Sequence, residues 1–209
     1  MIADLHVHSS YSFDSRLTPK KIVRACIRKG LDVIAVVDHN TVRGGLAARM
    51  AAHGTGLTVI PGIEVKTDMG DLIGLFDEEE VKARGFAEAL DEIRDMGGLT
   101  VLPHPYRGHP EVERLAEKVD ALEVFNARTP RRLNLKALKL AVLLGKPVTV
   151  GSDAHTVFEI GSFRMYLKDR YSLPRPAELK AYGRESPFIV HLFSGLTGLV
   201  RRLESRVKG

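Results

Sequence analysis

His6-Val7-His8 sets two imidazoles at a spacing of two, so both point to one side of any extended strand. Two ligands of one metal ion need that arrangement, and two histidines satisfied within a core share it. Four further segments bring the same side-chain types. Asp38-His39-Asn40-Thr41 follows the apolar run 33–37 and reads either as a ligand pair or as a helix-capping turn. Gly62-Ile63-Glu64-Val65 puts one carboxylate into an apolar stretch, where charge is costly unless paired or metal-bound. Pro103-His104-Pro105-Tyr106 holds an imidazole in a rigid extended segment, and Gly151-Ser152-Asp153-Ala154-His155 pairs carboxylate and imidazole at spacing two. Imidazole and carboxylate without thiolate suit Zn²⁺, Mn²⁺ or Fe²⁺. About eight candidate ligands exceed the roughly four to six that one ion takes, which implies two or three divalent ions. Such a cluster acidifies water, clamps the attacking and leaving oxygens of a displacement and offsets phosphate charge.

Distant segments converge only if the fold brings them together. Short apolar runs alternate with helix-period segments along the chain. Strands are predicted over residues 1–7, 32–37, 57–65, 71–76, 99–102, 121–125, 147–150 and 163–167. Helices are predicted over 18–30 (Thr18 as N-cap, Pro19 in the first turn), 42–53, 79–96, 111–117 and 130–144. Asp68-Met69-Gly70 turns the third strand back in a hairpin-like excursion. Strand and helix in alternation mean parallel βα units, at about 30 residues each room for about seven. The pattern alone fits an open doubly wound sheet or a barrel short of eight units. In either fold the carboxyl ends of parallel strands share one face, and five histidines (6, 8, 39, 104, 155) with Asp14, Asp38, Glu64 and Asp153 all fall at strand ends. His53, His109 and His191 do not, and are left outside the metal site. Residues 1–170 are expected to form the barrel. Residues 171–209 are expected to form a proline-broken tail whose stretch 188–207 is an amphipathic helix packed on the barrel or on a second subunit.

The composition agrees with a soluble enzyme. Apolar residues make up 44%, enough for a large core, and the formal charge of +5 suits an anionic partner without a basic run that would mark nucleic acid. The single Cys26 rules out an intramolecular disulfide framework and fits a reducing compartment. No run of 18 apolar residues and no basic leader is present, so a cytoplasmic protein without membrane contact is expected. Walker, GxGxxG and GxSxG patterns are missing, and Gly44-Gly45 reads as a close-packed turn rather than a phosphate loop.

At these residues the chain resembles the PHP (polymerase and histidinol phosphatase) family of metal-dependent phosphoesterases. Asp4-Leu5-His6-Val7-His8-Ser9, Val37-Asp38-His39-Asn40-Thr41, Leu102-Pro103-His104-Pro105 and Gly151-Ser152-Asp153-Ala154-His155 are similar to its four motifs, in order. The resemblance implies an α/β fold, a distorted (β/α)₇ barrel with two or three metals at the strand ends. It implies His6, His8 and Asp153 at a first ion, Glu64 bridging to a second that His104 holds, and Asp14, His39 and His155 at a third. Glu64, His39, Asp153 and His155 are then the residues at the reacting atoms. Many members carry a further histidine after the fifth barrel strand, where this chain reads Glu123-Val124-Phe125-Asn126. The expected reaction is hydrolysis of a phosphate mono- or diester, in a nucleotide, a nucleic-acid end or a small phosphorylated metabolite, by metal-activated water. Arg107 and Arg128, after strand ends, and Arg43, beyond His39, are expected to hold the phosphate, so that loss of Arg107 or Arg128 impairs hydrolysis and leaves the metal content unchanged. An amidohydrolase-like C–N hydrolase, with Lys66 the nearest lysine to the required place, and a non-catalytic barrel subunit of an RNA-processing assembly are the alternatives.

Overall fold

The computed structural model describes residues 1–76, 78–169 and 172–186. Among them nine strands make one sheet: β1 Ile2–Val7, β2 Val33–His39, β3 Thr58–Thr67, β4 Gly70–Leu75, β5 Leu99–Leu102, β6 Ala121–Asn126, β7 Val148–Gly151, β8 Phe163–Tyr166 and β9 Ala181–Gly183. Their spatial order is β7-β6-β5-β4-β3-β2-β1-β8-β9. Five α-helices accompany them: α1 Pro19–Arg28, α2 Arg43–Ala52, α3 Phe86–Asp95, α4 Val112–Lys118 and α5 Arg131–Leu144.

The strands are apolar on both faces because both faces are covered. In β2, Val33, Ala35 and Val37 join one core cluster while Ile34 and Val36 join another. The first cluster runs through β3 to β7 with α3, α4 and α5; the second packs α1 and α2 against β1, β2 and β3. The two ends of the sheet nearly meet. Just past β7, Ala154 pairs in parallel with Val7, and its carbonyl accepts the His8 N–H at 2.9 Å. The result is a nearly closed mixed α/β barrel.

β1, β2 and β3 pair in parallel, as do β5, β6 and β7, while β4 runs antiparallel to both β3 and β5. The hairpin excursion is thus a full barrel strand, and it leaves six parallel strands opening on one mouth. β8 and β9 extend the sheet beyond β1, antiparallel.

Two local expectations change. The helix read from residue 79 begins only at Phe86. Glu92 turns back to accept the N–H groups of Lys82 and Ala83, and Asp68 accepts that of Phe86 at 2.8 Å, so side-chain acceptors take the backbone donors a longer helix would have used. Thr18 does occupy the N-cap of α1, but its side chain makes no capping bond. β9 follows the proline-rich stretch of the tail and was not foreseen. Residues 172–186 lie on the barrel through Val148 N–H to the Pro174 carbonyl (2.9 Å) and Ser186 N–H to the Ala127 carbonyl (2.7 Å). The helix expected over 188–207, and His191 with it, lies outside the described residues. No helix among the described residues is long and apolar enough to cross a membrane.

Candidate metal centre

The barrel mouth gathers the strand-end side chains. A cleft of about 270 Å³ is lined by Asp14, His39, Glu64, Asp71, His104, Arg107, Arg128, Asp153 and His155, and His6 and His8 lie buried beneath it. All eight expected metal ligands meet there. Glu64 sits between them with its oxygens facing opposite ways: Oε1 lies 3.2 Å from His104 Nε2, while Oε2 lies 3.3 Å from His8 Nε2, 3.7 Å from His6 Nε2 and 3.1 Å from His39 Nδ1. Asp153 Oδ1 is 3.5 Å from His8 Nε2 and 3.6 Å from His155 Nδ1. Asp14 Oδ2 is 3.0 Å from His155 Nε2 and 3.4 Å from His39 Nε2.

The hydrogen bonds behind the rings fix which nitrogen faces the cluster. His6 Nδ1 lies against Glu123 Oε1 (3.0 Å), His104 Nδ1 against the Arg107 carbonyl (3.2 Å) and His155 Nδ1 against the Asp153 carbonyl (2.8 Å). Each partner only accepts, so each Nδ1 carries the proton. Ser12 Oγ donates to Asp38 Oδ1 at 2.8 Å and so accepts from His8 Nδ1 at 3.2 Å. Four Nε2 atoms are thereby aimed inward at carboxylate oxygens and at one another, His6 Nε2 and His8 Nε2 standing 3.0 Å apart. Imidazole nitrogens and carboxylate oxygens gathered this closely are the donor set of a metal ion, and imidazoles with the outer nitrogen donated away are the usual metal-ligand arrangement. Donors held about 2.0–2.3 Å from one ion lie within roughly 4.5 Å of each other. Three overlapping groups have ligand atoms within 4.8 Å: His8, His39 and His155; His6, His8 and Glu64; Glu64, Asp71 and His104. The residues present fit a multinuclear metal site.

Electrostatics reports the same field. Burial pulls the His6 imidazole down, but Glu123, Asp153 and Glu64 outweigh it and hold it well above the usual histidine range. Burial likewise opposes charge on His39, yet Glu64 and Asp14 push it up to about 10. Burial would raise Glu64 and Asp153, and the cations around them keep both well below the usual carboxylate range. His8, buried at the centre beside His155, falls to about 3 and stays neutral.

The backbone is held in uncommon conformations at two of these residues. His104 (φ 33°) and Asp153 (φ 53°) are each the second residue after β5 and β7, in left-handed rather than extended geometry, which costs on the order of 1–3 kcal/mol and turns each side chain into the mouth. Gly151 makes room for this: a Cβ there would collide with His6 Cβ and Glu123 Oε1. Gly44 is the close-packed turn expected, since a Cβ would fall on Asp38 Oδ2. Asp38 itself takes bonds from Ser9 and Ser12 and braces the β1 loop, so it lies behind the ligands.

The arginines divide. Arg107 reaches Asp153 Oδ2 at 2.5 Å and Asn126 Oδ1 at 3.2 Å, so it is tied to an expected ligand rather than independent of the metal set. Arg128 lines the cleft with its Nε on Glu159 Oε1 at 3.0 Å. Arg43 is exposed and lies over the Tyr11 ring instead of lining the cleft. Asn126, standing where a further histidine was sought, spends its amide on others: Nδ2 donates to Glu123 and Asp153, and Oδ1 accepts from Arg107 and the Arg128 N–H. Sequence reasoning missed Glu123, whose two oxygens hold His6 Nδ1 and the His104 N–H (2.8 Å). A carboxylate inside the apolar run Ala121-Leu122-Glu123-Val124-Phe125 was the available signal. It also missed Asp71, and the exposed ring of Phe13, stacked on His39 with centroids 5.2 Å apart.

The family model for the PHP domain matches residues 4–143, which carry all of these ligands except Asp153 and His155. The chain belongs to the PHP family. A second model, described as PHP-associated, matches residues 131–173 and includes those two. An uncharacterized protein of Methanocaldococcus jannaschii is 37% identical over 194 residues, covering 86% of this chain and 75% of its own. A 5'-3' exoribonuclease of Haemophilus influenzae is 29% identical over 118 residues, covering 50% of this chain and 43% of its own. Among solved structures, a two-domain Bacteroides vulgatus protein containing a predicted PHP-like metal-dependent phosphoesterase superposes with a TM-score of 0.71 at 20% identity, over 94% of this chain and 69% of that one. An amidohydrolase of Chromobacterium violaceum gives 0.68 at 17% identity, over 91% and 96%. At such identities these likenesses establish the PHP-type fold alone.

Proposed function

We propose that this PHP protein hydrolyses a phosphate ester of a nucleotide or a nucleic-acid end. The observation that carries the hydrolytic reading is Glu64, a buried carboxylate with one oxygen toward His104 and the other toward His6, His8 and His39, directly under the cleft that Arg107 and Arg128 line. His6, His8, Glu64 and Asp153 would hold one divalent ion, Glu64 and His104 a second, and Asp14, His39 and His155 a third. Such ions, Zn²⁺, Mn²⁺ or Fe²⁺, supply a water acidic enough to attack at neutral pH and positive charge against the ester oxygens. The protein's own part is positional. Arg107, anchored by Asn126 and Asp153, sets a fixed positive charge at the cleft for a phosphate oxygen, and Asp153 and Glu64 stay ionised so that the cluster keeps its charge. Lys66 has a side chain 68% exposed and does not line the cleft, which leaves the C–N hydrolase reading without its lysine.

The substrate class rests on the rim. Phe13 is about two-fifths exposed and stacked on His39, offering a ring on which a base can stack beside the phosphate. The similarity to an exoribonuclease supports the same choice. Kinetics on a panel of 5'-nucleotides, short oligonucleotides and sugar phosphates with Mn²⁺-loaded protein test it. Stacking is worth about 1–3 kcal/mol per base, so Phe13→Ala should raise KM for nucleotides roughly 5- to 100-fold and leave that for sugar phosphates unchanged. Equal turnover of sugar phosphates and nucleotides, unaffected by the substitution, refutes the substrate class.

A further inference from the structure

Glu64 Oε1 and His104 Nε2 meet 3.2 Å apart at the cleft, and two protein donors make a poor divalent site. Asn126 does not complete it, because both ends of its amide are bonded elsewhere. Asp71 stands on the other flank. A carboxylate oxygen of Asp71 and the ligand atoms of Glu64 and His104 all lie within 4.8 Å of one another, and Asp71 lines the same cleft.

The topology explains its presence. β4 is antiparallel, so its beginning, and not its end, opens at the barrel mouth. In the β3–β4 register Glu64 opposes Ile73 and Lys66 opposes Asp71, which puts Asp71 on the Glu64 face, one pleat nearer the mouth. The strand start is pinned there. His109 donates Nε2–H to the Asp71 carbonyl at 2.7 Å, and its ring packs where a side chain on Gly70 (φ 109°) would sit. Asp71 Oδ1 is buried and takes no hydrogen bond; its nearest cation is the Lys66 ammonium, at 3.5 Å on a largely exposed side chain. A buried carboxylate oxygen without a donor is unusual and wants a ligand.

We propose that Asp71 is a protein ligand of the divalent ion shared by Glu64 and His104, an oxygen-rich site suited to Mn²⁺ or Fe²⁺ as well as Zn²⁺. This rests on the cleft being a metal centre, as argued above. The competing role for Asp71 is a cross-strand ion pair with Lys66.

Metal counting separates these. Chelator-stripped wild type, Asp71→Asn, Lys66→Met and His104→Ala are loaded with excess Mn²⁺, desalted and assayed by elemental mass spectrometry, with circular dichroism as the check on folding. Asp71→Asn should hold one ion fewer per chain than wild type, or bind that ion about tenfold or more weakly, as His104→Ala does; Lys66→Met should keep the full set. Wild type that retains no ion overturns the metal centre itself. Asp71→Asn that matches wild type while His104→Ala loses an ion overturns only the role of Asp71. If Asp71→Asn does not fold, anomalous diffraction from Mn²⁺-loaded wild-type crystals decides. An ion on Glu64 and His104 with Asp71 about 2.0–2.3 Å away supports the assignment, and the same ion with Asp71 beyond hydrogen-bond distance contradicts it.

Discussion

Glu123 carries more of the site than its position behind it suggests. One buried carboxylate sets the His6 tautomer, fixes the backbone at His104 and orients the Asn126 amide, so it touches the residues on both sides of Glu64. Glu123→Gln keeps the shape and exchanges an acceptor oxygen for a donor group, which must then face a donor. The expected result is a 10- to 100-fold weaker metal affinity and a loss of about 1–3 kcal/mol in chelated protein, read by Mn²⁺ titration and by urea unfolding. Wild-type values in both would show that the ring orientations hold themselves. Cys26 is the opposite case: buried in α1, its thiol is pushed up to about 12, chiefly by burial, and takes no part in the chemistry.

At the scale of elements, the six parallel strands were legible because each is a short apolar run with a polar residue at its carboxyl end, and that rule found His6, His39, His104 and Asp153 together. It failed at β4. A strand that runs backwards brings its first residues to the mouth, so Asp71 had no strand-end signature to read. The start of α3 was misplaced for a different reason, since the acceptors that stop it, Glu92 and Asp68, act across the fold rather than from neighbouring sequence positions. The join between β5 and β6 offers a test independent of the metals. Asp120 accepts from the Thr100 N–H (3.0 Å), the Thr100 hydroxyl and Arg94, and despite the opposing effect of burial these bonds hold its carboxyl below the usual range. Its folded-state value is thus depressed. The stability it contributes is present above the unfolded value near 4 and lost as pH falls through the lower folded value. Asp120→Asn should therefore lower stability at neutral pH, by no more than about 1 kcal/mol because solvent screens the half-exposed pair with Arg94, and flatten the acid limb of a urea-unfolding series; an unchanged acid limb rejects this account.

Across the whole molecule, the barrel is a scaffold whose apolar clusters lie below and around the site, while the mouth concentrates buried carboxylates that oppose one another. Removing that opposition with a divalent ion should stabilise the native state, by about 2.7 kcal/mol at a free-ion concentration one hundred times Kd. Thermal unfolding with and without Mn²⁺ reads this directly, and an unmoved Tm would mean that no ion binds the folded form. The central claim, phosphoester hydrolysis by divalent ions gathered around Glu64, is tested most directly by phosphate release. Chelator-stripped protein is titrated with Mn²⁺ on a 5'-phosphorylated oligonucleotide, with Glu64→Gln run in parallel. The account predicts no release without the ion, activity that rises to saturation as it is added, and an inert Glu64→Gln protein; release that ignores the ion, or a Glu64→Gln protein as fast as wild type, would contradict it.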